Sequence, residues 1–405
     1  MRFAVRSGLG VAMLSRRIGL GGGSIIGGRV TLALHRGALG ALSTGRRVVL
    51  VSGTNGKTTT SHMLAAALRT QEPVAHNDSG SNMADGAVAA LARDHEARLA
   101  VLEVDELHLP SVAMKCEPRA IVLLNLSRDQ LDRVAEVRST AAAIRASLAE
   151  LSDTTLFANA DDPMTVWAAE ETGRPVVWVA AGSNWRDDCP GCPRCGALLV
   201  RSRNRWSCHC GLARPTPAWW CEGNTAHGPG VATELRVSLP GSVNRYNALI
   251  TLAVAVTTGC AVGEVVAAIA GVDQVAGRYS IVRHGGRDAR LLLAKNPAGW
   301  AAALDMIDRP RPLLVVINAR EADGRDTSWL WDVDFGALSG RTVVACGERA
   351  ADLGTRLSYA DVPHLTESDP LVALTRVPAG EVDVIANYSA FHTMRRALAG
   401  RRSFG

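Results

Sequence analysis

Eight residues, Gly53-Thr54-Asn55-Gly56-Lys57-Thr58-Thr59-Thr60, have the types and spacing that a polyphosphate requires. The glycines let backbone N–H groups crowd around an anion, Lys57 reaches the terminal phosphates, and the Thr58 hydroxyl ligates Mg²⁺. The apolar run Val48-Val49-Leu50-Val51 precedes the loop, and a helical pattern through Met63, Leu64 and Leu68 follows it. Strand, glycine loop and helix therefore come in the order a phosphate cradle needs. The general pattern asks for a glycine where Val51 stands, so the match to it is partial. Lysine is otherwise nearly absent, with only Lys57, Lys115 and Lys295 among many arginines. A lysine kept in such a chain marks a place that needs a compact charge rather than a planar fork.

Phosphoryl transfer also needs a carboxylate near the loop to hold Mg²⁺. The apolar run Leu99–Val104 ends in three candidates, Glu103, Asp105 and Glu106, among which spacing does not choose. Two further apolar runs end in polar groups, Asn125-Leu-Ser-Arg-Asp129 and Asn159-Ala-Asp-Asp162. Polar residues at the carboxyl ends of parallel strands line the ligand crevice of open α/β sheets. Each alone reads equally well as a turn; three beside one phosphate loop are harder to dismiss.

Six of the nine cysteines fall between Cys189 and Cys221. Cys192-Pro-Arg-Cys195 and Cys208-His-Cys210 form two knuckles about a dozen residues apart, which is the layout of a thiolate zinc ribbon. The second knuckle is irregular. Cys192, Cys195, Cys208 and Cys210 are the expected Zn²⁺ ligands, with Cys189 or His209 as substitutes, in a structural rather than catalytic site. Cys116, Cys260 and Cys346 sit in apolar surroundings and read as inert core thiols.

These groups need a scaffold. From Val48 to about Ala180, short apolar runs alternate with helical stretches, with strands expected at Val48–Val51, Leu99–Val104, Ala120–Asn125, Thr155–Phe157 and Pro175–Val179. That pattern predicts a parallel sheet covered by helices on both faces. Residues 1–45 read as an amphipathic helix and a glycine-rich connection, Gly21 to Gly28. Residues 46–277 read as the nucleotide domain, interrupted at about 186–217 by the cysteine module, and residues 278–405 as a smaller α/β domain. The excess charge is only +5, which is no nucleic-acid footprint, and no run approaches a membrane span. The N-terminus faintly suggests a secretion signal, but Arg16 and Arg17 interrupt it, and a nucleotide loop implies the cytoplasm. His62, His76, His284 and His392 read as surface or capping residues, and Trp219, Trp220, Trp329 and Trp331 as packing or partner contacts.

Together, Gly53–Thr59, Asn159–Asp162 and Gly241-Ser-Val-Asn-Arg-Tyr-Asn247 resemble the Mur ligase superfamily, which uses ATP to activate a carboxylate as an acyl phosphate for attack by an amine. The cysteine module, Arg128-Asp-Gln-Leu-Asp-Arg133, Lys295-Asn-Pro-Ala-Gly299 and Asp323-Gly-Arg-Asp-Thr-Ser-Trp-Leu-Trp-Asp332 narrow this to its MurT family. That family forms the ligase-like subunits of lipid II isoglutaminyl synthase. The resemblance implies a Mur ligase-type central P-loop ATPase domain with an inserted four-cysteine zinc ribbon, followed by a smaller α/β domain. It assigns the loop from Gly53 to Thr59, with Thr54, Asn55 and Gly56 between, to ATP, and Lys57 and Thr58 to phosphate and Mg²⁺. Glu103 becomes the metal-associated acid. Asn247, Asn125 and Asp129 lie near the adenine, Arg278 reaches the nucleotide from the domain junction, and Lys295 with Asn296 faces the cleft.

The implied reaction amidates the α-carboxylate of D-glutamate in the lipid II stem peptide, at the inner face of the cytoplasmic membrane. Ammonia would come from a glutaminase subunit, GatD, whose Cys-His pair Asp326 would complete, with Trp329 and Trp331 as contacts. The residues agree, because no GxSxG elbow or Cys/His nucleophile pair is found here to hydrolyse glutamine. Two departures stand out. Ile317-Asn318-Ala319-Arg320 replaces an Asn-Asp-Asn segment, and no lysine is placed for the carbamylated lysine of muropeptide ligases. An amino-acid-adding Mur ligase or folylpolyglutamate synthase is the nearest rival, but fewer than about 50 residues precede the loop where such ligases carry a whole domain. A zinc-ribbon ATPase that binds nucleic acid is the rival from another class.

Overall fold

Small residues at four-residue spacing decide how the chain begins. The computed structural model describes residues 1–17, 24–78, 81–128, 137–180, 189–202, 205–275, 278–307, 311–341 and 343–400. Helix α1 (Arg2–Arg17) buries Ala4, Gly8, Ala12 and Ser15 on one face, and α2 (Ser24–Leu34) crosses it at Gly27. A Cβ on Gly27 would stand 2.7 Å from the Gly8 carbonyl oxygen, so the two backbones meet without side chains between them. Gly28 meets the Asp85 backbone as closely. This corrects the expected glycine-rich connection: Gly27 and Gly28 lie inside a helix, where close approach outweighs their poor helix propensity. A third helix, α3 (Ala38–Ser43), follows.

Strand and helix then alternate as β1 (Arg47–Ser52), α4 (Lys57–Leu68), β2 (Val74–His76), α5 (Ala84–Arg93), β3 (Leu99–Glu103), α6 (Leu109–Cys116) and β4 (Ala120–Leu123). The alternation continues through α7 (Val137–Glu150), β5 (Thr155–Asn159), α8 (Pro163–Ala169) and β6 (Val176–Ala180). These six strands are parallel in the order β2-β3-β1-β4-β5-β6. Leu50, Leu102, Ile121 and Leu156 from the sheet join Leu91, Ile144 and Leu148 from the helices in one core, each burial contributing roughly 1.5–3 kcal/mol. Since β1 lies between β3 and β4, the order reverses beside it, and the crevice opens at its carboxyl end.

The cysteine segment carries a two-stranded ribbon, β7 (Val200–Ser202) with β8 (Arg205–Ser207). Three further strands, β9 (Trp219–Glu222), β10 (Thr225–Gly228) and β11 (Val231–Glu234), extend the large sheet beyond β6. The strands expected between Val48 and Ala180 are parallel as read, whereas β9, β10 and β11, beyond that stretch, pair antiparallel with one another. Tight turns make this possible, with Gly223 at φ 59° and Gly230, after Pro229, at φ 70°. Helices α9 (Ser242–Thr257) and α10 (Val262–Ala270) follow.

A second sheet uses β12 (Tyr279–His284), β13 (Arg287–Leu293), β14 (Leu313–Val316), β15 (Val343–Cys346), β16 (His364–Glu367) and β17 (Gly380–Ala386). Its order is β12-β13-β17-β14-β15-β16, parallel except for β12. Helices α11 (Pro297–Met306), α12 (Ala350–Tyr359), α13 (Pro370–Arg376) and α14 (Tyr388–Gly400) alternate with these strands. The sequence reading missed β2, β12 and β16, which are sheet edges, where strands are short or half polar, and it also missed β9, β10 and β11, of which β9 and β10 lie inside the large sheet. The chain divides into two compact units: Met1–Ser127, Ala135–Leu239 and Val243–Asp273 form one, and Arg128–Val134, Pro240–Ser242 and Gln274–Gly405 the other. Among the described residues no helix is long and apolar enough to cross a membrane.

Candidate active site

Val51 belongs to the strand, so the loop proper begins at Gly53, whose φ of 137° suits glycine. A Cβ there would press to 2.9 Å from the Asn125 carbonyl oxygen. Gly56 caps α4 at φ 87°, and a Cβ on it would meet Asn247 Oδ1 at 2.7 Å. The loop is pinned from the end of β4. Asn125 Oδ1 accepts from the Asn55 N–H at 2.9 Å, Asn125 Nδ2 donates to the Asn55 carbonyl at 2.9 Å, and Thr54 N–H donates to the Asn125 carbonyl at 2.9 Å. Asn247, buried on α9, accepts from Thr60 Oγ1 at 3.1 Å and donates to Asn244 Oδ1 at 3.2 Å. Asp129 lies outside the described residues.

Two of the three acids divide the cationic work. Thr58 Oγ1 donates to Glu103 Oε1 at 3.1 Å, while Glu103 Oε2 is buried with no hydrogen-bond partner among the described residues. Lys57 Nζ donates to Glu106 Oε2 at 2.9 Å and to the Thr54 carbonyl at 3.2 Å, and both side chains are buried. Burial works against each charge, yet Glu106, then Asp105 and Glu103, hold the Lys57 ammonium above its usual pKa. Burial would raise Glu106, but Lys57 keeps it below the usual carboxylate range. The pair is ionised.

In the Asn159–Asp162 turn, Asn159 and Asp162 bind neighbouring backbone. Asn159 Nδ2 donates to the Leu124 carbonyl at 3.0 Å, and Asp162 Oδ2 accepts from the Leu126 N–H at 2.6 Å. Asp162 also caps α8. Behind the loop, His76 is buried, contrary to its reading as a surface group. Its Nε2 lies 3.2 Å from Ser61 Oγ on α4, and burial, followed by the neighbouring His62, drives its pKa down to about 3. A short strand tucked under α4 leaves no path to water. Cys116 and Cys346 are likewise buried, their thiols pushed up to about 11 and about 12.

The sulfurs of Cys192, Cys195, Cys208 and Cys210 all lie within 4.8 Å of one another, and this group could hold a metal ion. Cys192 and Cys210 are 3.6 Å apart and Cys195 and Cys208 3.4 Å. A tetrahedron with metal–sulfur bonds of about 2.3 Å has edges of about 3.8 Å. Cys189 Sγ turns to the Gly191 carbonyl at 3.2 Å, outside the group. The module is braced on the Asn159–Asp162 turn, with Trp206 Nε1 donating to the Ala160 carbonyl at 3.2 Å and Arg214 Nε to Asp161 Oδ1 at 2.6 Å.

In the second unit, Asn296 caps α11 by accepting from the Gly299 N–H at 2.8 Å. Lys295 Nζ lies 5.3 Å from the centre of the Tyr388 ring, which packs edge-on against His392. Burial, and then Arg395, Arg396, Arg278 and Lys295, depress the His392 pKa, so Arg278 and Lys295 share one cationic neighbourhood. Asn318 takes part in a closed network, donating through Nδ2 to Ser389 Oγ at 3.1 Å and accepting from the Glu348 N–H at 3.1 Å. The two aspartates of Asp323-Gly-Arg-Asp326 differ. Asp323 is buried and accepts from the Ser389 N–H at 2.7 Å, whereas Asp326 is exposed and accepts from the Ser328 N–H at 2.8 Å. Trp329 is a correction to the expected partner contact, being buried and stacked on Trp300 at 5.6 Å. Trp331 is exposed.

Residues 51–188 match the family described as Mur ligase middle domain, and residues 293–391 match MurT ligase C-terminal. The lipid II isoglutaminyl synthase (glutamine-hydrolyzing) subunit MurT of Streptococcus pneumoniae is 28% identical over 95% of this chain and 94% of its own. That of Staphylococcus aureus is 29% identical over 88% of each chain. Similarity to MurT subunits thus runs over nearly the whole chain.

Solved ligases share the fold of this chain. A pseudomurein peptide ligase type C from Methanothermus fervidus superposes with a TM-score of 0.71 at 18% identity, covering 88% of this chain and 79% of that one. MurF ligase from Thermotoga maritima, solved in complex with ADP, gives 0.60 at 17% identity over 93% and 85%. Sequence reasoning did not single out the Lys57–Glu106 pair. Nor did it find Asn77, whose amide holds the Glu103 N–H at 2.8 Å and the Glu103 carbonyl at 2.8 Å. Both pairings arise from the parallel register of strands far apart in sequence.

Proposed function

We propose that this chain is the synthetase subunit of a lipid II isoglutaminyl synthase. It uses ATP to phosphorylate the α-carboxylate of D-glutamate in the stem peptide, and ammonia then displaces phosphate to give D-isoglutamine. The observation that carries this reading is the near full-length match to two MurT subunits by a chain whose phosphate loop is assembled around Lys57. Lys57 would hold the γ-phosphate during transfer, and the N–H groups of Gly56, Lys57 and Thr58, those not taken up by Asn125, would cradle the polyphosphate. Thr58 and Glu103 fit magnesium, because a hydroxyl and a buried carboxylate with one unpartnered oxygen form a hard oxygen set. Magnesium, when bound, neutralises phosphate charge. The four thiols fit zinc in a structural role, and zinc supplies folding energy there rather than chemistry.

Asn125 and Asn247 position the loop rather than react, since their amides are spent on Asn55 and on Thr60 and Asn244. Within the second unit, Arg278 and Lys295 share one cationic neighbourhood, with Asn296 fixing the helix that follows. Ammonia would come from glutamine hydrolysed by a GatD-type partner, to which the exposed Asp326 offers its carboxylate. The substrate is lipid-linked, which places the work at the inner face of the cytoplasmic membrane.

The test is co-expression with the candidate glutaminase, followed by mass spectrometry of lipid II incubated with ATP and glutamine. The wild-type pair should convert the carboxyl to the amide and Lys57→Ala should not. Asp326→Asn should lose glutamine-dependent amidation while retaining activity with added ammonium salt. Full activity in Lys57→Ala overturns the proposal.

A further inference from the structure

Residues 1–71 contain ten basic side chains and no Asp or Glu, although the whole chain has an excess charge of only +5. The imbalance has a definite place in the fold. Helix α1 turns Ala4, Gly8, Ala12 and Ser15 inward. The opposite face, at helical spacing, presents Arg2, Phe3, Arg6, Met13, Leu14 and Arg17 to solvent. Phe3 is 76% exposed, Leu14 58% and Met13 54%, values unusual for three large apolar groups on one helix. On α2, Ile25, Ile26 and Leu34 are exposed as well.

We propose that this face of α1 anchors the protein to the surface of an anionic phospholipid bilayer. Phe3, Met13 and Leu14 would enter the boundary between headgroups and acyl chains, and the interleaved arginines would snorkel to lipid phosphates. The helix has 16 residues and charge along its length, so it lies on the bilayer and does not span it. A second copy of this face would set arginine against arginine. A soluble partner would need acids matched to each one. An anionic bilayer supplies both the apolar layer and the negative charge without a tailored fit. The anchor would serve the lipid-linked substrate proposed above, yet its binding to lipid needs neither that substrate nor ATP.

Flotation of the full-length chain with vesicles free of lipid II tests the anchor. The protein should float with phosphatidylglycerol-containing vesicles and stay behind with pure phosphatidylcholine. Arg6→Glu with Arg17→Glu should lower the partition at least about tenfold, since each arginine near an anionic surface contributes roughly fivefold. Phe3→Ser with Leu14→Ser should lower it comparably, and the indole of a Phe3→Trp variant should shift to the blue on binding. Absence of wild-type flotation on the anionic vesicles overturns the anchor. So does binding indifferent to the arginine reversals, or a lipid-free dimer that Leu14→Ser dissolves. The reversed variant should amidate detergent-solubilised lipid II at the wild-type rate and vesicle-embedded lipid II more slowly. A failed ligase reading would remove both activities and leave flotation intact.

Discussion

Lys57 meets the nucleotide already engaged. Its ammonium is tied to Glu106 at 2.9 Å in a buried pair, so an arriving phosphate must share or displace that carboxylate. Removing one partner of a buried pair leaves the other charge uncompensated. Glu106→Gln should therefore lower the melting temperature of the nucleotide-free protein and tighten ATP binding on the order of tenfold, or about 1.4 kcal/mol. Calorimetry and thermal melts with and without Mg-ATP check this; unchanged values in both would show that the pair is idle. His76 belongs to the same scale. Its folded pKa of about 3 lies below the ordinary 6.5, so its contribution to stability is complete above pH 6.5 and is lost as pH falls toward 3. Urea midpoints should fall with acid over that window, and a His76→Gln variant should show a shallower dependence.

The strand–loop–helix of β1 and α4 was legible in the sequence because everything it needs is local: a β-branched run, two glycines and a lysine. What holds it was not. Asn55 and Asn125 are 70 residues apart and meet because β1 pairs with β4, as Val51 meets Glu103 because β1 pairs with β3. Sequence spacing carries no register between parallel strands, so it left Glu103, Asp105 and Glu106 equivalent. The hydrophobic pattern likewise found the parallel inner strands and missed the short edges and the half-polar β9, β10 and β11, and it took Gly27 and Gly28 for a linker because a helix crossing looks the same in one dimension. Gly56 tests the loop as an element. Its Cβ would collide with Asn247 Oδ1 and its φ is 87°, a conformation costing an L-residue roughly 1–2 kcal/mol. Gly56→Ala should cut ATP affinity at least tenfold with the large sheet intact, as read by nucleotide binding and circular dichroism.

Across the first unit, the cysteine module and the phosphate loop are joined by short bonds. Trp206 and Arg214 hold Ala160 and Asp161, the same turn holds Leu124 and Leu126, and Ser127 N–H donates to Thr54 Oγ1 at 3.0 Å. If the four thiols hold zinc, a chelator should therefore lower the melting temperature and weaken ATP binding together, with both restored by added zinc. Loss of stability without any change in nucleotide binding would show the module to be independent. The module also occupies the stretch between β6 and β9, two strands that pair side by side through Val179 with Trp219 and Ala180 with Trp220. Were β9 delivered only once the four thiols close around an ion, Val176-Val177-Trp178-Val179-Ala180 would until then be left as an uncharged, strongly β-forming edge. Zinc starvation would then be a solubility problem before it is a catalytic one. Newly made chains in a zinc-poor cell should collect in the insoluble fraction, while chains folded beforehand remain in solution.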